Sequence, residues 1–259
     1  MRAPRVSVQV HPQHCTYAQM RDCWLAAEEA GVDCIFTWDH FFPLYGEADG
    51  AHFEGWSLLA AIGALTTRVQ FGMLVTCMTY RNPDLLADMA RTVDHISGGR
   101  VILGVGSGWF ERDYEEYGYP FADVKTRVAQ FREALPRIER RLARLKPGPV
   151  NGHIPMMIGG GGEKEMLKLV AQHADIWHGF GDVDAFKHKL GVLDAHCATV
   201  GRDPSEIERS VMLNEKDLRD RPVIDRMHAI GVTHFIGVAS APTFDLSGVR
   251  TLLAWRDAQ

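Results

Sequence analysis

Residues 82–106, NPDLLADMARTVDHISGGRVILGVG, join a helix to an apolar strand and decide the fold class. Asn82 suits the N-cap of a helix and Pro83 its first position, so this stretch predicts a helix over residues 82–96. The Ser-Gly-Gly that follows ends the helix. The run RVILGVG over residues 100–106 is short and apolar, which predicts a strand.

The same alternation of short apolar runs with longer amphipathic stretches continues along the whole chain. Strands that alternate with helices predict a parallel sheet, because parallel strands need crossover connections, and these are right-handed. Eight such units without a linker predict an α/β fold, a single (β/α)8 TIM barrel domain over residues 1–259, with an open doubly wound sheet as the alternative. The predicted strands cover residues 5–10, 33–38, 68–76, 100–106, 155–159, 175–179, 206–213 and 233–238, and the predicted helices cover residues 17–30, 55–65, 82–96, 124–145, 163–173, 183–200, 218–230 and 248–257.

Composition narrows the class of protein. The net charge of −5 argues against a nucleic-acid binder. The five cysteines are odd in number and form no CxxC pair, so we expect reduced thiols in a cytoplasmic protein and no zinc site. The 12 histidines show no HExxH pattern, so we expect no other metal site either. No apolar run approaches the roughly 18 residues of a membrane helix, and we expect a small-molecule substrate and no nucleic-acid or membrane partner.

Candidate site residues follow the strands, because active sites of such barrels form at the carboxyl ends of the strands. Asp39 and His40 come after the second strand, beside Phe41, and suit hydrogen bonding to a flat heterocycle. The competing interpretation makes Asp39 a turn cap and His40 a packed loop residue. His11, after the first strand, is either a pocket residue or a solvated loop residue.

The third and fourth strands end in further candidates. Thr76 could donate a hydrogen bond to a ligand. In GVGSGWF, residues 104–110, three glycines let the backbone approach a ligand closely. Trp109 and Phe110 either wall a pocket or cover the mouth of the barrel.

Four glycines, residues 159–162, follow the fifth strand and precede a helix predicted to begin at Glu163. Free N–H groups and the dipole of a helix together form an anion site. The later loops of barrels commonly bind phosphate. We therefore predict phosphate binding at this loop, and the absence of GKS or GKT excludes an ATP-type loop.

With these residues in place, the chain resembles the luciferase-like superfamily and, within it, the F420-dependent oxidoreductases of actinobacterial type. The resemblance covers nearly the whole chain. The matching stretches are TWDHFFPL (37–44), HFEGWSLLAAIGALTTRV (52–69), the segment from TYRNPDLL to EEYGYPF (79–121), IGGGGE (158–163) and ADIWH (174–178).

The resemblance implies roles for individual residues. His40 is implied to be catalytic, as a proton donor or as a stabiliser of the bound anionic ring, and a non-prolyl cis peptide is expected at Met73–Leu74. The implied cofactor-binding residues are Asp39, Met73, Leu74, Thr76, Ser107, Gly108, Gly160, Gly161, Gly162 and Glu163. The candidate substrate-pocket residues are His11, Phe41, Leu44 and Trp109.

The sequence also departs from the sugar-phosphate dehydrogenases of this group. These enzymes resemble the chain but carry an acidic residue at the position of Trp109 and an aromatic residue at that of Leu44. We therefore do not expect sugar-phosphate oxidation. The short connection over residues 147–154 lacks the usual insertion.

The resemblance implies an oxidoreductase that transfers a hydride between coenzyme F420 and an unidentified small organic substrate, with reduction by reduced F420 favoured. It also implies a homodimer. Two alternatives remain at this point: an FMN-dependent luciferase-like monooxygenase on the same barrel, and a non-catalytic barrel that acts as a binding subunit.

Overall fold

A computed structural model describes residues 2–259. The strands are β1 Arg5–Val10, β2 Cys34–Thr37, β3 Gln70–Met73, β4 Thr76–Cys77, β5 Val101–Gly106, β6 Met156–Gly159, β7 Ile176–Gly179, β8 Glu208–Met212 and β9 His234–Ala239. The helices are α1 Tyr17–Ala30, α2 Gly55–Leu65, α3 Pro83–Ser97, α4 Glu111–Glu116, α5 Val124–Leu142, α6 Met166–His173, α7 Val183–Val200, α8 Arg221–Ala229 and α9 Ser247–Arg256.

The strands form one closed parallel sheet. Their order is β3-β2-β1-β9-β8-β7-β6-β5-β4, and β3 also pairs with β5. The first and last strands pair over their full length, from Arg5 opposite His234 to Val10 opposite Ala239. Because β3 and β4 are the two halves of the strand predicted over residues 68–76, the sheet has eight strand positions. The predicted (β/α)8 barrel is confirmed.

The third strand position is interrupted at Leu74 and Val75, whose peptide bond is cis. The prediction of a cis bond at Met73–Leu74 is therefore wrong by one peptide. Leu74 still donates its amide to Thr37 O at 2.7 Å, so it keeps its place in the ladder with β2. The chain leaves the sheet only after that bond and rejoins it where Thr76 pairs with Val105.

Helix ends follow the capping residues in most places. The side chain of Asn82 accepts from the amide of Asp84 at 2.8 Å, and Gly98 ends α3 with a φ of +68°, as predicted. The helix predicted over residues 163–173 begins only at Met166. Two histidines of α7 hold Glu163 outside the helix: His188 contacts its carboxylate at 3.1 Å, and His196 contacts its carbonyl oxygen at 2.7 Å.

Polar residues occupy the amino-terminal end of the barrel interior. Arg5 forms an ion pair with Glu208 at 2.9 Å, and Ser7 hydrogen-bonds His234 at 2.6 Å. Burial alone would raise the pKa of Glu208, but the neighbouring imidazole of His234 and guanidinium of Arg5 lower it to about 2. The opposite, carboxyl end of the barrel is thus the end left open for a ligand.

No helix within residues 2–259 is long and apolar enough to cross a membrane. Over the same described range, no group of three His, Cys, Asp or Glu side chains is arranged to hold a metal ion.

Candidate active site

A cavity of about 450 Å³ opens at the carboxyl ends of the strands. Its volume falls in the range of roughly 300–1,000 Å³ found for small-molecule sites. Most of the residues singled out in the sequence meet around it, although they lie in or after six different strands, β1 to β6. Those that line the cavity are His11, Asp39, His40, Leu44, Leu74, Thr76, Ser107, Gly108, Trp109 and Gly160.

Other candidates lie away from the cavity lining. Met73 is fully buried, and its side chain packs against Gly55 of α2. Phe41 points into an aromatic cluster, 4.8 Å from the ring of Tyr80 and 4.3 Å from that of Tyr117. Both expectations need correction: Met73 points from β3 towards α2, and Phe41, in the loop after β2, points towards Tyr80 and Tyr117 and away from the cavity. Gly161, Gly162 and Glu163 also lie outside the lining, further along the loop that Gly160 begins.

His40 is held by a carboxylate that the sequence analysis missed. Its Nδ1 lies 2.8 Å from Oδ2 of Asp113, a fully buried residue of α4. The same carboxylate accepts from the hydroxyl of Tyr80 at 2.7 Å and from the amide of Phe41 at 3.1 Å. The available signal was an acidic residue in the connection after β5, on the same face of the barrel as His40.

Asp39 borders the cavity, but its oxygens are taken by the protein. Arg81 donates to both of them, at 2.5 Å and 2.9 Å, and the amide of Cys77 donates at 2.9 Å. Burial opposes the charge on Arg81, but the neighbouring carboxylate raises the pKa of this guanidinium. Both carboxylate oxygens of Asp39 therefore already accept from the protein, and the residue borders the cavity as part of a buried ion pair. Its contact with a cofactor stays a prediction.

His11 lies inside the site, as one of its two interpretations requires. It is 7% exposed and stacks on Trp38, with ring centroids 4.2 Å apart. Burial lowers its pKa to about 4, so the ring is neutral at pH 7. Gln9 donates to the carbonyl of Leu74 at 3.0 Å and therefore turns its oxygen to His11 Nε2, 3.1 Å away. His11 Nδ1 then accepts from the hydroxyl of Tyr45.

Two buried polar atoms in the cavity lining have no hydrogen-bond partner among the described residues. They are Oγ1 of Thr76 and Nε2 of His178. Burial lowers the pKa of His178 to about 3, and its Nδ1 contacts Ser210 Oγ at 2.8 Å. Buried polar atoms are normally paired, so both atoms indicate a ligand with polar groups. His178 lies in β7, one residue before its end, and lines the cavity; the ADIWH match was the signal for it.

The glycine loop carries a cation that the sequence analysis also missed. Lys189 of α7 packs against Gly161, where a Cβ would lie 2.6 Å from its Nζ. In the described part of the chain, this ammonium makes no salt bridge within 4.0 Å. The amides of Gly161 and Gly162 have no acceptor in the same range. Backbone N–H groups beside a lysine can bind an anion even though α6 begins three residues later than predicted.

Comparison with known proteins gives the family. Residues 2–214 match the family model of luciferase-like monooxygenases. An uncharacterised protein of Mycobacterium tuberculosis is 29% identical over 197 residues, which is 71% of this chain and 68% of that protein. An F420-dependent glucose-6-phosphate dehydrogenase of Amycolatopsis mediterranei is 39% identical over 112 residues, which is 42% of this chain and 33% of that protein.

Solved structures share the fold. An F420-dependent secondary alcohol dehydrogenase in complex with an F420–acetone adduct has a TM-score of 0.83 at 16% identity, over 100% of this chain and 98% of that chain. The oxygenating constituent of 3,6-diketocamphane monooxygenase of Pseudomonas putida, in complex with FMN, has a TM-score of 0.65 at 18% identity, over 81% and 67%. The family match covers most of the barrel, including every strand that supplies a residue to the cavity lining. The chain belongs to the luciferase-like monooxygenase family and is an enzyme of that family.

Proposed function

We propose that this chain is an F420-dependent oxidoreductase that transfers a hydride between the deazaflavin and a small organic substrate, with reduction by reduced F420 as the favoured direction. One observation carries the proposal: the cavity joins His40 to two unpartnered buried polar atoms, Thr76 Oγ1 and His178 Nε2. A planar heterocycle with polar edges would satisfy both. The relative from Amycolatopsis mediterranei supports F420 over FMN.

The residues present fit such a cofactor. Thr76 and His178 would hydrogen-bond its ring, and the backbone at Ser107 would approach it closely. The amides of Gly161 and Gly162 and the ammonium of Lys189 would hold its phosphate. When bound, the cofactor supplies the carbon that gives or takes the hydride.

The protein's own part is to orient the substrate, exclude water and move a proton. Trp38, Leu44 and Leu74 give the cavity apolar walls, which limit access of water. His40 lines the same cavity with its Nε2 free of protein partners in the described chain, so this atom would pass a proton to or from the substrate.

The experiment is calorimetric titration of the purified protein with F420 and FMN side by side. Tight F420 binding and weak FMN binding would support the proposal. The opposite preference would make the protein an FMN-dependent monooxygenase, since flavin reacts with oxygen and the deazaflavin scarcely does. Binding of neither would overturn both assignments and leave a non-catalytic barrel.

Turnover is then tested with electron-poor alkenes and imines as acceptors for reduced F420. We expect His40→Ala to lower turnover far more than cofactor affinity, because a proton-transfer group contributes about 10²- to 10⁴-fold to rate. A wild-type rate in this variant would remove His40 from the reaction.

A further inference from the structure

The carboxylate of Asp113 already accepts hydrogen bonds from two protein groups. Its Oδ1 accepts from the amide of Phe41 at 3.1 Å, and its Oδ2 accepts from the hydroxyl of Tyr80 at 2.7 Å. Burial raises the pKa of the Tyr80 phenol, so this hydroxyl keeps its proton. An ionised carboxylate has no hydrogen to donate, so in its contact of 2.8 Å with His40 the donor is Nδ1 of the imidazole.

This contact decides which nitrogen of His40 faces the cavity with a lone pair. With the proton on Nδ1, Nε2 of the neutral ring is an acceptor, and it has no protein partner among residues 2–259. Three aromatic rings pack edge-on around the imidazole: Trp38 at 6.0 Å, Trp109 at 5.5 Å and Phe110 at 5.3 Å. These neighbours restrict the tilt of the ring, and none of them makes a hydrogen bond to it that could select a tautomer.

We propose that Asp113 is a positioning residue that fixes His40 in the Nδ1–H tautomer and directs its Nε2 into the cavity. Neutral His40 can then take a proton from a substrate at Nε2, and protonated His40 can return one from the same atom. The catalytic consequence rests on the proposed function of His40. The tautomer itself depends only on the protein.

A purely structural role for Asp113 is the competing account. The carboxylate joins α4 to the amide of Phe41 and to Tyr80, and these contacts alone would stabilise the connection after β5. A structural role would change stability, whereas a positioning role must also change the tautomer of His40. The two accounts are therefore separated by reading the imidazole directly.

The first experiment is ¹⁵N NMR of the cofactor-free protein with labelled histidines, with the His40 signals assigned from their loss in His40→Gln. We expect the Nδ1–H tautomer in the wild type. In Asp113→Asn, the amide of Phe41 still needs an acceptor, so the new NH2 group faces His40 and the proton should move to Nε2. An Nε2–H tautomer in the wild type would overturn the proposal without any variant having to fold.

The second experiment measures turnover in Asp113→Asn with reduced F420. We expect kcat to fall about 10- to 100-fold, part of the contribution of a general acid or base, with cofactor Kd and substrate KM nearly unchanged. The matched control is Asp94→Asn, since Asp94 is also buried and accepts from the amide of Val150 at 2.8 Å, far from the cavity. A rate in Asp113→Asn equal to that of the control would refute the catalytic consequence.

The experiments distinguish a failure of the proposed F420-dependent function from a failure of the positioning role of Asp113. If the protein binds no F420 but shows the expected tautomers, the proposed function fails and the positioning of His40 stands. If it turns over substrate but Asp113→Asn changes neither the tautomer nor kcat, the positioning role fails and the proposed function stands.

Discussion

Thr76 and Thr37 form a matched pair of buried threonines whose hydroxyls have no hydrogen-bond partner in the described chain. Only Thr76 lines the cavity. A buried unpaired hydroxyl costs roughly 1–3 kcal/mol, a cost that a ligand can remove in one case only. Comparing the two threonines therefore distinguishes a hydroxyl that binds a ligand from one that is merely buried without a partner.

We expect Thr76→Val to raise the free energy of unfolding of the free protein and to weaken F420 binding about five- to tenfold, the worth of one hydrogen bond. Thr37→Val should raise stability in the same way and leave affinity unchanged. Urea denaturation and calorimetry measure the two quantities. If Thr76→Val and Thr37→Val bind F420 with equal affinity, the hydroxyl of Thr76 does not contact the ligand.

Gly161 tests the loop that we assign to phosphate. Gly161→Asp places a carboxylate beside Lys189 Nζ, which it would neutralise, so FMN and F420 affinity should fall at least about tenfold. Riboflavin, which lacks the phosphate, serves as the ligand control and should be affected much less. Gly148→Asp adds the same charge in a distant, half-buried connection, where a Cβ would meet only Leu145 O at 3.8 Å, and should have no effect. Equal losses for FMN and riboflavin would place the phosphate elsewhere.

The sequence pattern located site residues that directly follow strands and missed those brought in by long-range contacts. His40 and Thr76 were found because a strand end implies the cavity. Asp113 contacts His40 although the two residues are 73 positions apart in the sequence, so no local sequence spacing predicts the pair. Asp39 was placed at the cavity, but its ion pair with Arg81, 42 positions away, was not predicted.

At the scale of elements, the strand over residues 68–76 was predicted as continuous because its apolar run shows no interruption. The break depends on the neighbouring strand. A Cβ at Gly104 of β5 would overlap the carbonyl oxygen of Met73, so only glycine lets the two backbones approach where β3 ends. Sequence patterns report apolar periodicity and do not report such an approach between two strands.

We expect Gly104→Ala to lower the free energy of unfolding by several kcal/mol, above the roughly 1–3 kcal/mol of ordinary overpacking, because the obstacle is backbone. Gly106→Ala meets a side-chain methyl of Val75 at 2.7 Å and should cost less. Gly191→Ala on α7, where a Cβ meets nothing within 4 Å, should raise stability by about 0.5–1 kcal/mol. Thermal and urea unfolding of the three variants would test this order, and equal losses at Gly104 and Gly106 would contradict it.

At the scale of the whole molecule, the closed barrel followed from counting strand–helix units, since alternation over the full chain leaves few other ways to bury both faces of a parallel sheet. The polar residues inside the barrel could not be predicted from the number of strand–helix units. Inward residues such as Ser7, Glu208 and His234 interrupt runs that otherwise read as apolar. The homodimer stays a prediction.

Buried histidines predict how stability depends on pH. Burial lowers the pKa of His11 and His52 to about 4 and that of His178 to about 3. Below pH 6.5 the unfolded chain binds protons that the folded chain refuses, so stability falls as pH drops from 6.5 towards 4, by about 1.4 kcal/mol per pH unit for each proton. His234 has a raised pKa and acts oppositely, since its contribution is lost as pH rises above 6.5.

We therefore expect a maximum in the free energy of unfolding near pH 6.5, measured by urea denaturation from pH 4.5 to 8.5. In the variant His178→Gln, the free energy of unfolding should fall less steeply below pH 6.5, because one fewer proton is taken up on unfolding. A profile that stays level between pH 6.5 and 5 would mean that these rings protonate without unfolding the barrel.

Of the six tryptophans, only Trp109 is exposed, at 62%, and its indole stands at the mouth of the cavity beside His40. The other five are at most 5% exposed. The long-wavelength edge of the protein's emission should therefore come from Trp109 alone, and a soluble quencher such as acrylamide should remove that edge first. The chain thus carries a built-in optical reporter at its entrance, and the same exposure makes this indole the first tryptophan that light and peroxide would damage.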